Sequence, residues 1–253
     1  MFIHSDNINF LLIYSIKKQD IKVLILGNYY WSYFIYRMIL DKIPSINVSV
    51  FVAKIKNHEK SPFLKYSSQL NIIMGERDDM NYILRNNDFD ILLTAGFPWL
   101  IPVSFLYERD IPCFNIHPSI LPSYWGPDPI RNQIIKEESH FGVSLHYLSN
   151  DFDSGEVISQ STLKNDNSMC INEILYRLGI LIIPCFEKLL KRDFKILSKY
   201  QRNQTCNKLY ARDYAPSIKS DIQLTRIEKN NFLKMQYRLV GTDSWKKKLY
   251  SGF

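Results

Sequence analysis

The sequence lacks the closely spaced cysteines that hold a zinc ion or form a redox centre. Four cysteines occur in the chain, at Cys113, Cys170, Cys185 and Cys206, and no two of them form a C-x-x-C pair. We therefore assign no metal site, and we expect reduced thiols, which are typical of a cytoplasmic protein.

Long hydrophobic runs are also missing. The longest uncharged run covers residues 91–107, but Pro98 and Pro102 interrupt it, and it is shorter than the roughly 20 apolar residues that a membrane helix needs. The apolar segment at residues 8–16 follows no basic segment and precedes no small-residue cleavage site, so it is not typical of a signal peptide. We expect no membrane partner and interpret residues 1–20 as an N-terminal extension.

Positive charge is in only modest excess, because the chain has 32 Lys and Arg and 25 Asp and Glu, which gives a net charge of +7. This excess would suit an anionic partner, but it does not separate a nucleic acid from a small phosphate ester. With 46% hydrophobic and 14% aromatic residues, the 253-residue chain can bury a substantial core. A disordered or fibrous chain is therefore excluded.

Short apolar and β-branched runs alternate with helix-compatible segments in the first half of the chain. The pattern predicts strands at 21–26, 47–53, 70–74, 90–95 and 113–116, and helices at 31–42, 78–87 and 102–109. Strands that alternate with helices are joined by right-handed crossovers. The fold class is therefore α/β, with a mostly parallel sheet flanked by helices.

The pattern changes after residue 140. Residues 142–148 and 156–163 alternate in polarity, which predicts two antiparallel strands joined by an acidic loop, and a long helix follows at 170–191. We expect one catalytic domain at 21–200. The remaining residues, 201–253, are polar and basic and form a small C-terminal extension, with a loop at 210–217 and a small unit at 221–241.

Three side chains carry the chemistry. Asn115 and His117 stand two apart at the end of the fifth predicted strand, so both point to one side of the sheet, and Asp153 follows in a loop that ends at Gly155. An amide, an imidazole and a carboxylate together suit acyl transfer to an amine. The amide N–H can stabilise an oxyanion, the imidazole can accept the amine proton, and Asp153 can orient the imidazole or hold a water molecule.

These residues lie in a motif that resembles the formyltransferases that use 10-formyltetrahydrofolate. The segment FNIHPSILP matches N-x-H-x-S-x-L-P, and a D-x-G loop follows 36 positions after the histidine. The resemblance implies a Rossmann-like fold, the catalytic trio Asn115, His117 and Asp153, and 10-formyltetrahydrofolate as the formyl donor. It also implies a folate pocket lined by Phe97, Trp99, Leu100 and Ile101 and by Leu148, Ser149, Asn150, Asp151, Phe152 and Asp153.

The family divides by acceptor, and the sequence favours one of three. The enzymes that formylate glycinamide ribonucleotide resemble one another in a Gly- and Ser-rich loop, whereas the loop at 27–31 here is bulky and aromatic. The methionyl-tRNA enzymes carry a sizeable C-terminal barrel, whereas only about 60 residues follow the long helix. We therefore expect a nucleotide-linked amino sugar as partner, such as a dTDP-4-amino-4,6-dideoxy hexose used in lipopolysaccharide O-antigen synthesis.

The acceptor site is expected across the carboxyl edge of the sheet from the folate. Aromatic rings could stack on a base or a sugar, basic side chains could meet a pyrophosphate, and small residues could shape the entrance. The candidates are Asn28, Tyr29, Tyr30, Arg77, Ser119, Tyr124, Trp125 and Gly126, with Lys54 and Arg131 as further cations.

Two alternatives from other functional classes stay open. One is a non-catalytic folate- or nucleotide-binding module with this fold, because a fold alone does not establish a function. The other is a nucleic-acid-binding protein that uses the net charge, although the sequence shows no recognition element and we expect no nucleic-acid partner. A homodimer is compatible with the sequence, which does not decide the oligomeric state.

Overall fold

A computed structural model describes residues 21–192, apart from 44–45, 57 and 67–70, together with Leu197. The strands are β1 (Ile21–Leu26), β2 (Ile46–Ala53), β3 (Ile72–Gly75), β4 (Ile91–Thr94), β5 (Cys113–His117), β6 (His140–Tyr147) and β7 (Val157–Lys164). The helices are α1 (Tyr30–Lys42), α2 (Pro62–Tyr66), α3 (Arg77–Asn86), α4 (Ser104–Glu108), α5 (Pro129–Ile135) and α6 (Ile171–Leu189), with a 3-10 turn at His58–Lys60.

The seven strands form one sheet in the order β3-β2-β1-β4-β5-β6-β7. Strands β1 to β5 pair in parallel, whereas β6 runs antiparallel to both β5 and β7. The predicted mostly parallel α/β sheet is confirmed. The strand order changes direction between β1 and β4, and such a switch point leaves a crevice at the carboxyl ends of the strands, where α/β proteins bind their ligands.

The predicted strands and the four predicted helices are present, with ends within two residues of those expected. Helices α2 and α5 were not predicted. Both begin at a proline, Pro62 and Pro129, which suits the first helical position because it needs no N–H donor there. They are five and seven residues long, so the 3.6-residue period hardly shows in the sequence. The equally short α4 could be predicted because it lies between two clear strands.

The sheet separates two hydrophobic clusters because successive side chains of a strand point to opposite faces. Phe114 and Ile116 of β5 join the cluster on the side of α1 and α6. Cys113 joins the cluster on the side of α3 and α4. Asn115 and His117, which share the phase of Cys113, therefore project to the α3 and α4 side at the end of the strand.

Both predicted extensions, residues 1–20 and 201–253, lie outside the described residues, and so do the loop at 210–217 and the unit at 221–241. Within the described part of the chain, no helix combines the length and the hydropathy that a membrane span requires.

Phe114 is a fully buried residue in the middle of β5, and its ring contacts Tyr147 and Phe186. We expect Phe114→Ala to lower the free energy of unfolding by about 3–5 kcal/mol, because it removes a ring and leaves a cavity. Urea denaturation followed by circular dichroism measures this change, with the exposed Tyr82→Ala as control. A loss as small as that of the control would contradict the described packing of β5.

Candidate active site

The register between β5 and β6 brings two histidines and an asparagine together. Asn115 lies opposite His146, and His117 lies opposite Ser144. Residues that lie opposite each other in an antiparallel pair project to the same face of the sheet. The imidazole of His146 therefore lies beside the Asn115 amide. His117 and His146 are both buried.

The loop between β6 and β7 delivers Asp153 to this face. Its backbone starts beside β5, where the Leu148 N–H donates to the Cys113 carbonyl. Gly155 lets the loop return closely over β6, since a Cβ atom at this position would lie 1.8 Å from the carbonyl oxygen of Tyr147. The glycine of the D-x-G motif is therefore required by this close approach. The Asp153 side chain is only 9% exposed.

The Asn115 amide is fully engaged by neighbouring side chains. Its Nδ2 donates to Asp153 Oδ1 and to His146 Nε2, each at 3.0 Å, and its Oδ1 accepts from Thr94 Oγ1 at 2.8 Å. His146 can accept this bond because its Nδ1 donates to the Tyr147 carbonyl at 2.8 Å, which assigns the hydrogen to Nδ1. The amide is thus held in one orientation from both ends.

His117 lies between a carbonyl and a carboxylate. Its Nε2 donates to the Tyr124 carbonyl at 2.9 Å, and its Nδ1 lies 3.4 Å from Asp153 Oδ2. Burial lowers the pKa of His117, and the nearby His146 acts in the same direction, whereas Asp153 and the Tyr124 carbonyl oppose the shift. The net shift is downward, which favours the neutral imidazole near pH 7.

Asp153 stays ionised although it is buried. Burial alone would raise the pKa of its carboxyl, but His117, His146 and the Gly126 N–H outweigh that effect and lower the pKa. The Gly126 N–H donates to Asp153 Oδ2 at 2.8 Å, and the Asn115 amide donates to Oδ1. A buried carboxylate with donors on both oxygens is a fixed negative charge beside His117.

His146 and Thr94 were not predicted as site residues. His146 belongs to the alternating segment GVSLHYL, but the sequence alone does not show which residue of β5 stands opposite it. Thr94 is the last residue of β4 and lies beside Asn115 in the parallel register. Both residues follow from the register of β5 with its two neighbouring strands, which only the structure shows.

The residues predicted for the folate pocket lie together on the α3 and α4 side of the sheet. Phe97 and Trp99 pack edge to face with ring centroids 5.6 Å apart, and both rings contact Phe51. Ile101 is buried in the same cluster, and Leu148 packs against it. In the loop before Asp153, the Ser149 hydroxyl bonds to Ser154 and to the Asp151 carbonyl, whereas Leu100 and Phe152 stay exposed.

A cavity of about 320 Å³ opens beside these residues. Its lining consists of Arg77, Asn81, Leu100, Ile101, Pro102 and Asn150. Arg77 was predicted for the acceptor site, but its guanidinium lies over the Trp99 ring, 5.5 Å from the centroid, on the side of the predicted folate residues. In the structure, Arg77 therefore lines the cavity instead of the predicted acceptor site. Asn81, which was not predicted, has a buried Oδ1 that accepts no hydrogen bond from a described residue.

Two of the predicted acceptor residues have structural roles instead. The Asn28 amide is buried and binds both the N–H and the carbonyl of Ala53, which joins the end of β1 to the end of β2. Ser119 is fully buried, and its hydroxyl donates to the Ser123 carbonyl at 2.6 Å. Neither side chain is available to an acceptor, because its polar atoms are already used inside the protein.

The remaining predicted acceptor residues lie around the crevice. Tyr29 is 51% exposed and its ring approaches Gly96, while Tyr30 packs against Phe34. Trp125 is half-buried, and the Tyr124 hydroxyl donates to Glu138. The other two cations, Lys54 and Arg131, follow β2 and lie in α5, respectively.

The loop from Ser123 to Asp128 has an unusual backbone. Tyr124, Gly126 and Asp128 all have a positive φ, at 58°, 86° and 55°. A positive φ is uncommon for a bulky residue such as tyrosine. Here it places the Tyr124 carbonyl on His117 Nε2 and the Gly126 N–H on Asp153 Oδ2, so the loop fixes the imidazole and the carboxylate from the same side.

The titration of His117 tests this electrostatic arrangement. We expect its pKa, measured by NMR, to lie below the ordinary value of about 6.5, because burial disfavours the imidazolium. Asp153→Asn should lower the pKa further, because it removes the charge that favours the protonated ring. The exposed Asp151→Asn in the same loop is the control and should leave the titration unchanged. A higher pKa in Asp153→Asn would contradict the geometry.

Comparisons with known proteins agree with this geometry. Residues 49–177, just over half of the chain, match the family model described as formyl transferase. The chain is 29% identical over 138 residues to the methionyl-tRNA formyltransferase of Orientia tsutsugamushi (strain Boryong), covering 50% of this chain and 45% of that protein. It is 37% identical over 95 residues to the enzyme of the same name from Staphylococcus aureus (strain Newman), covering 36% and 30%.

The chain thus spans less than half of the length of these two curated relatives. Among solved structures, it shares its fold with a 4-N formyltransferase from Francisella tularensis, at a TM-score of 0.59, 16% identity and coverage of 85% and 87%. It also resembles WlaRD, a sugar 3N-formyl transferase solved in the presence of dTDP and 5-N-formyl-THF, at a TM-score of 0.57, 20% identity and coverage of 89% and 81%. From the family match over β2 to α6, we conclude that the chain belongs to the formyl transferase family.

Proposed function

We propose that the chain is an N-formyltransferase that moves the formyl group of 10-formyltetrahydrofolate to the amine of a nucleotide-linked amino sugar. The observation that carries this proposal is the convergence of Asn115, His117 and Asp153, in which the carboxylate lies 3.0 Å from the amide and 3.4 Å from the imidazole. These are the groups that acyl transfer to an amine needs, and they lie at the carboxyl end of β5.

His117 and Asp153 would handle the proton of the amine. The Nε2 atom of His117 already carries a hydrogen, so Nδ1 is the atom that can accept the proton. Once Nδ1 is protonated, the imidazolium faces the Asp153 carboxylate across 3.4 Å. Asp153 therefore stabilises the charge that His117 gains, in addition to holding the ring in place.

Asn115 would stabilise the negative charge that develops on the formyl oxygen. Both of its N–H groups are engaged, so one bond has to be exchanged when the oxygen arrives. The bond to Asp153 is charge-assisted, so it is stronger than the bond to the His146 ring nitrogen. The N–H that now points to His146 Nε2 is therefore the one that would turn to the oxyanion, a bond that strengthens as charge develops.

The cavity beside Trp99 suits the formyl donor. Leu100, Ile101 and Pro102 offer apolar contact to a flat ring, and the buried Asn81 Oδ1 can accept a hydrogen bond from an amino group of the ligand. 10-Formyltetrahydrofolate would supply the formyl carbon, and tetrahydrofolate would leave as the bond from N10 to that carbon breaks and N10 takes up the proton that His117 gained from the amine. The loop of residues 148–153 connects the cavity to Asp153, so a donor held there would reach the catalytic trio.

A nucleotide sugar is the acceptor that the fold neighbours favour. Several of them are sugar N-formyltransferases, and the WlaRD structure contains dTDP. The crevice beside the aromatic Tyr29 would accommodate a base or a sugar ring. We favour a dTDP-4-amino-4,6-dideoxy hexose in the synthesis of a surface polysaccharide.

The three described cysteines form no disulfide, which agrees with a reaction in the cytoplasm.

Methionyl-tRNA is the second candidate acceptor. The curated relatives that match the chain are methionyl-tRNA formyltransferases. The match covers their shared formyl transferase region and less than half of their length. It therefore supports the common donor chemistry more strongly than the common acceptor.

An acceptor panel tests the proposed function. The purified full chain is incubated with 10-formyltetrahydrofolate and with dTDP- and UDP-linked amino sugars, glycinamide ribonucleotide or methionyl-tRNA, and formyl addition is followed by mass spectrometry. We expect one nucleotide sugar to be formylated. His117→Ala should lower turnover by roughly 10²–10⁴-fold, because it removes the general base, whereas the exposed His140→Ala should leave turnover unchanged.

Each other outcome of the panel has a separate meaning. Transfer only to methionyl-tRNA or only to glycinamide ribonucleotide would replace the acceptor and keep the chemistry. Folate binding without transfer to any acceptor would favour the binding-module alternative. Near-normal turnover in both His117→Ala and Asp153→Asn would contradict the proposed mechanism.

The pH dependence of kcat/KM gives an independent check on the base. His117 accepts a proton only when it is neutral, so activity falls as the pH drops through its pKa. Because burial lowers that pKa, the acid limb should lie below about pH 6.5. An acid limb above about pH 7 would show that a different group, or a protonated His117, controls the reaction.

A further inference from the structure

The outer face of α6 carries a stripe of regularly spaced residues. Alternate steps of four and three residues connect Glu173, Arg177, Ile180, Pro184 and Glu187 of α6 with Lys191, which follows the C-cap residue Leu190. This 4-3 spacing has a mean period of about 3.5 residues, which is the spacing of the seam in a coiled coil. The opposite face of α6 is buried against the sheet and α1 through residues such as Ile174, Leu178 and Ile182.

The centre of the stripe is apolar and exposed. Ile180 is 51% exposed, the flanking Leu181 is 38% exposed, and Pro184 is exposed as well. A single exposed isoleucine is ordinary on a protein surface. Here Ile180 and Pro184 lie one helical turn apart at the middle of the stripe, with charged residues at both ends.

Each end of the stripe holds an ion pair of fixed order. Glu173 pairs with Arg177 at 2.7 Å, and Glu187 pairs with Lys191 at 2.9 Å. In both pairs the acid precedes the base along the helix. The sequence of charges along the stripe is therefore acid, base, apolar centre, acid, base.

This order is complementary to itself when two copies of α6 lie antiparallel. A two-fold axis at the level of Ile182 places Ile180 of one copy opposite Pro184 of the other. The same axis places Arg177 opposite Glu187 and Glu173 opposite Lys191, so every charged residue faces one of opposite sign. A parallel pair would instead place each charge opposite its own copy, which is repulsive.

We propose that a second copy of this chain docks on the α6 stripe, to form a two-fold symmetric antiparallel helix pair. Such an interface is closed, because the same patch is used on both subunits. Helices packed through a 4-3 seam approach to about 8–10 Å between their axes. A face of one helix is smaller than a standard interface of about 800 Å² per partner, so we expect a dimer that dissociates on dilution.

The proposed interface leaves the candidate active site open. Asn115 and His117 project to the side of α3 and α4, whereas α6 packs on the opposite face of the sheet. Two copies joined through α6 would therefore hold their crevices on the outer sides of the dimer. The inference does not depend on the proposed function, since it uses only the outer face of α6.

Charge-reversed variants of the full chain test the proposal by sedimentation velocity over a range of concentrations. Wild-type protein should form dimers as its concentration rises. Arg177→Glu should be monomeric because it places two carboxylates opposite each other, and Glu187→Arg should be monomeric because it places two guanidinium groups opposite each other. An equimolar mixture of the two variants should dimerise, because both contacts in the mixed dimer then join opposite charges.

Lys164→Glu, at the exposed end of β7, is the control for the change in net charge and should dimerise like wild-type protein. Circular dichroism checks that each variant is folded. Two results would overturn the proposal. One is a wild-type chain that stays monomeric throughout. The other is a mixture that associates no more than either variant alone, as expected if the dimer uses another surface.

Discussion

The buried carboxylate of Asp153 is the charge around which the candidate site is organised. Its two oxygens accept hydrogen bonds from the Asn115 amide and from the Gly126 backbone, and it faces His117 at 3.4 Å. A buried negative charge is costly unless donors and a basic partner compensate it. The three segments that meet here, the end of β5, the loop at 123–128 and the loop after β6, are therefore held to one another through this carboxylate.

The backbone around the site follows from the same requirement. Gly155 permits the loop after β6 to approach the Tyr147 carbonyl, so that Asp153 can reach β5. The positive φ of Tyr124 turns its carbonyl toward His117 Nε2. Unusual backbone conformations of this kind are costly and persist where surrounding contacts determine them. Here the positive φ of Tyr124 delivers a hydrogen bond to His117, which explains why this strain lies next to the site.

The sheet gives its two faces different tasks. The α3 and α4 side carries the candidate catalytic side chains and the cavity beside Trp99, and the α1 and α6 side buries the larger hydrophobic cluster. Because Asn115 and His117 alternate with Phe114 and Ile116, β5 presents the candidate site residues on one face and core residues on the other. The outer face of α6 points away from the crevice, so association through it would leave the site accessible.

The α/β class, the strands, four of the six described helices and the grouping of Asn115, His117 and Asp153 could be predicted from the sequence. Strand periodicity and an N-x-H pattern are local properties, so they can be seen along the chain. The contacts of His146, Thr94, Arg77 and Asn28 could not be predicted from the sequence. They depend on strand register and on which loops meet. His146 became part of the site through its position opposite Asn115, and Arg77 joined the cavity because α3 lies beside Trp99. Contacts between residues distant in sequence are fixed only when the sheet forms, and no spacing along the chain encodes them directly.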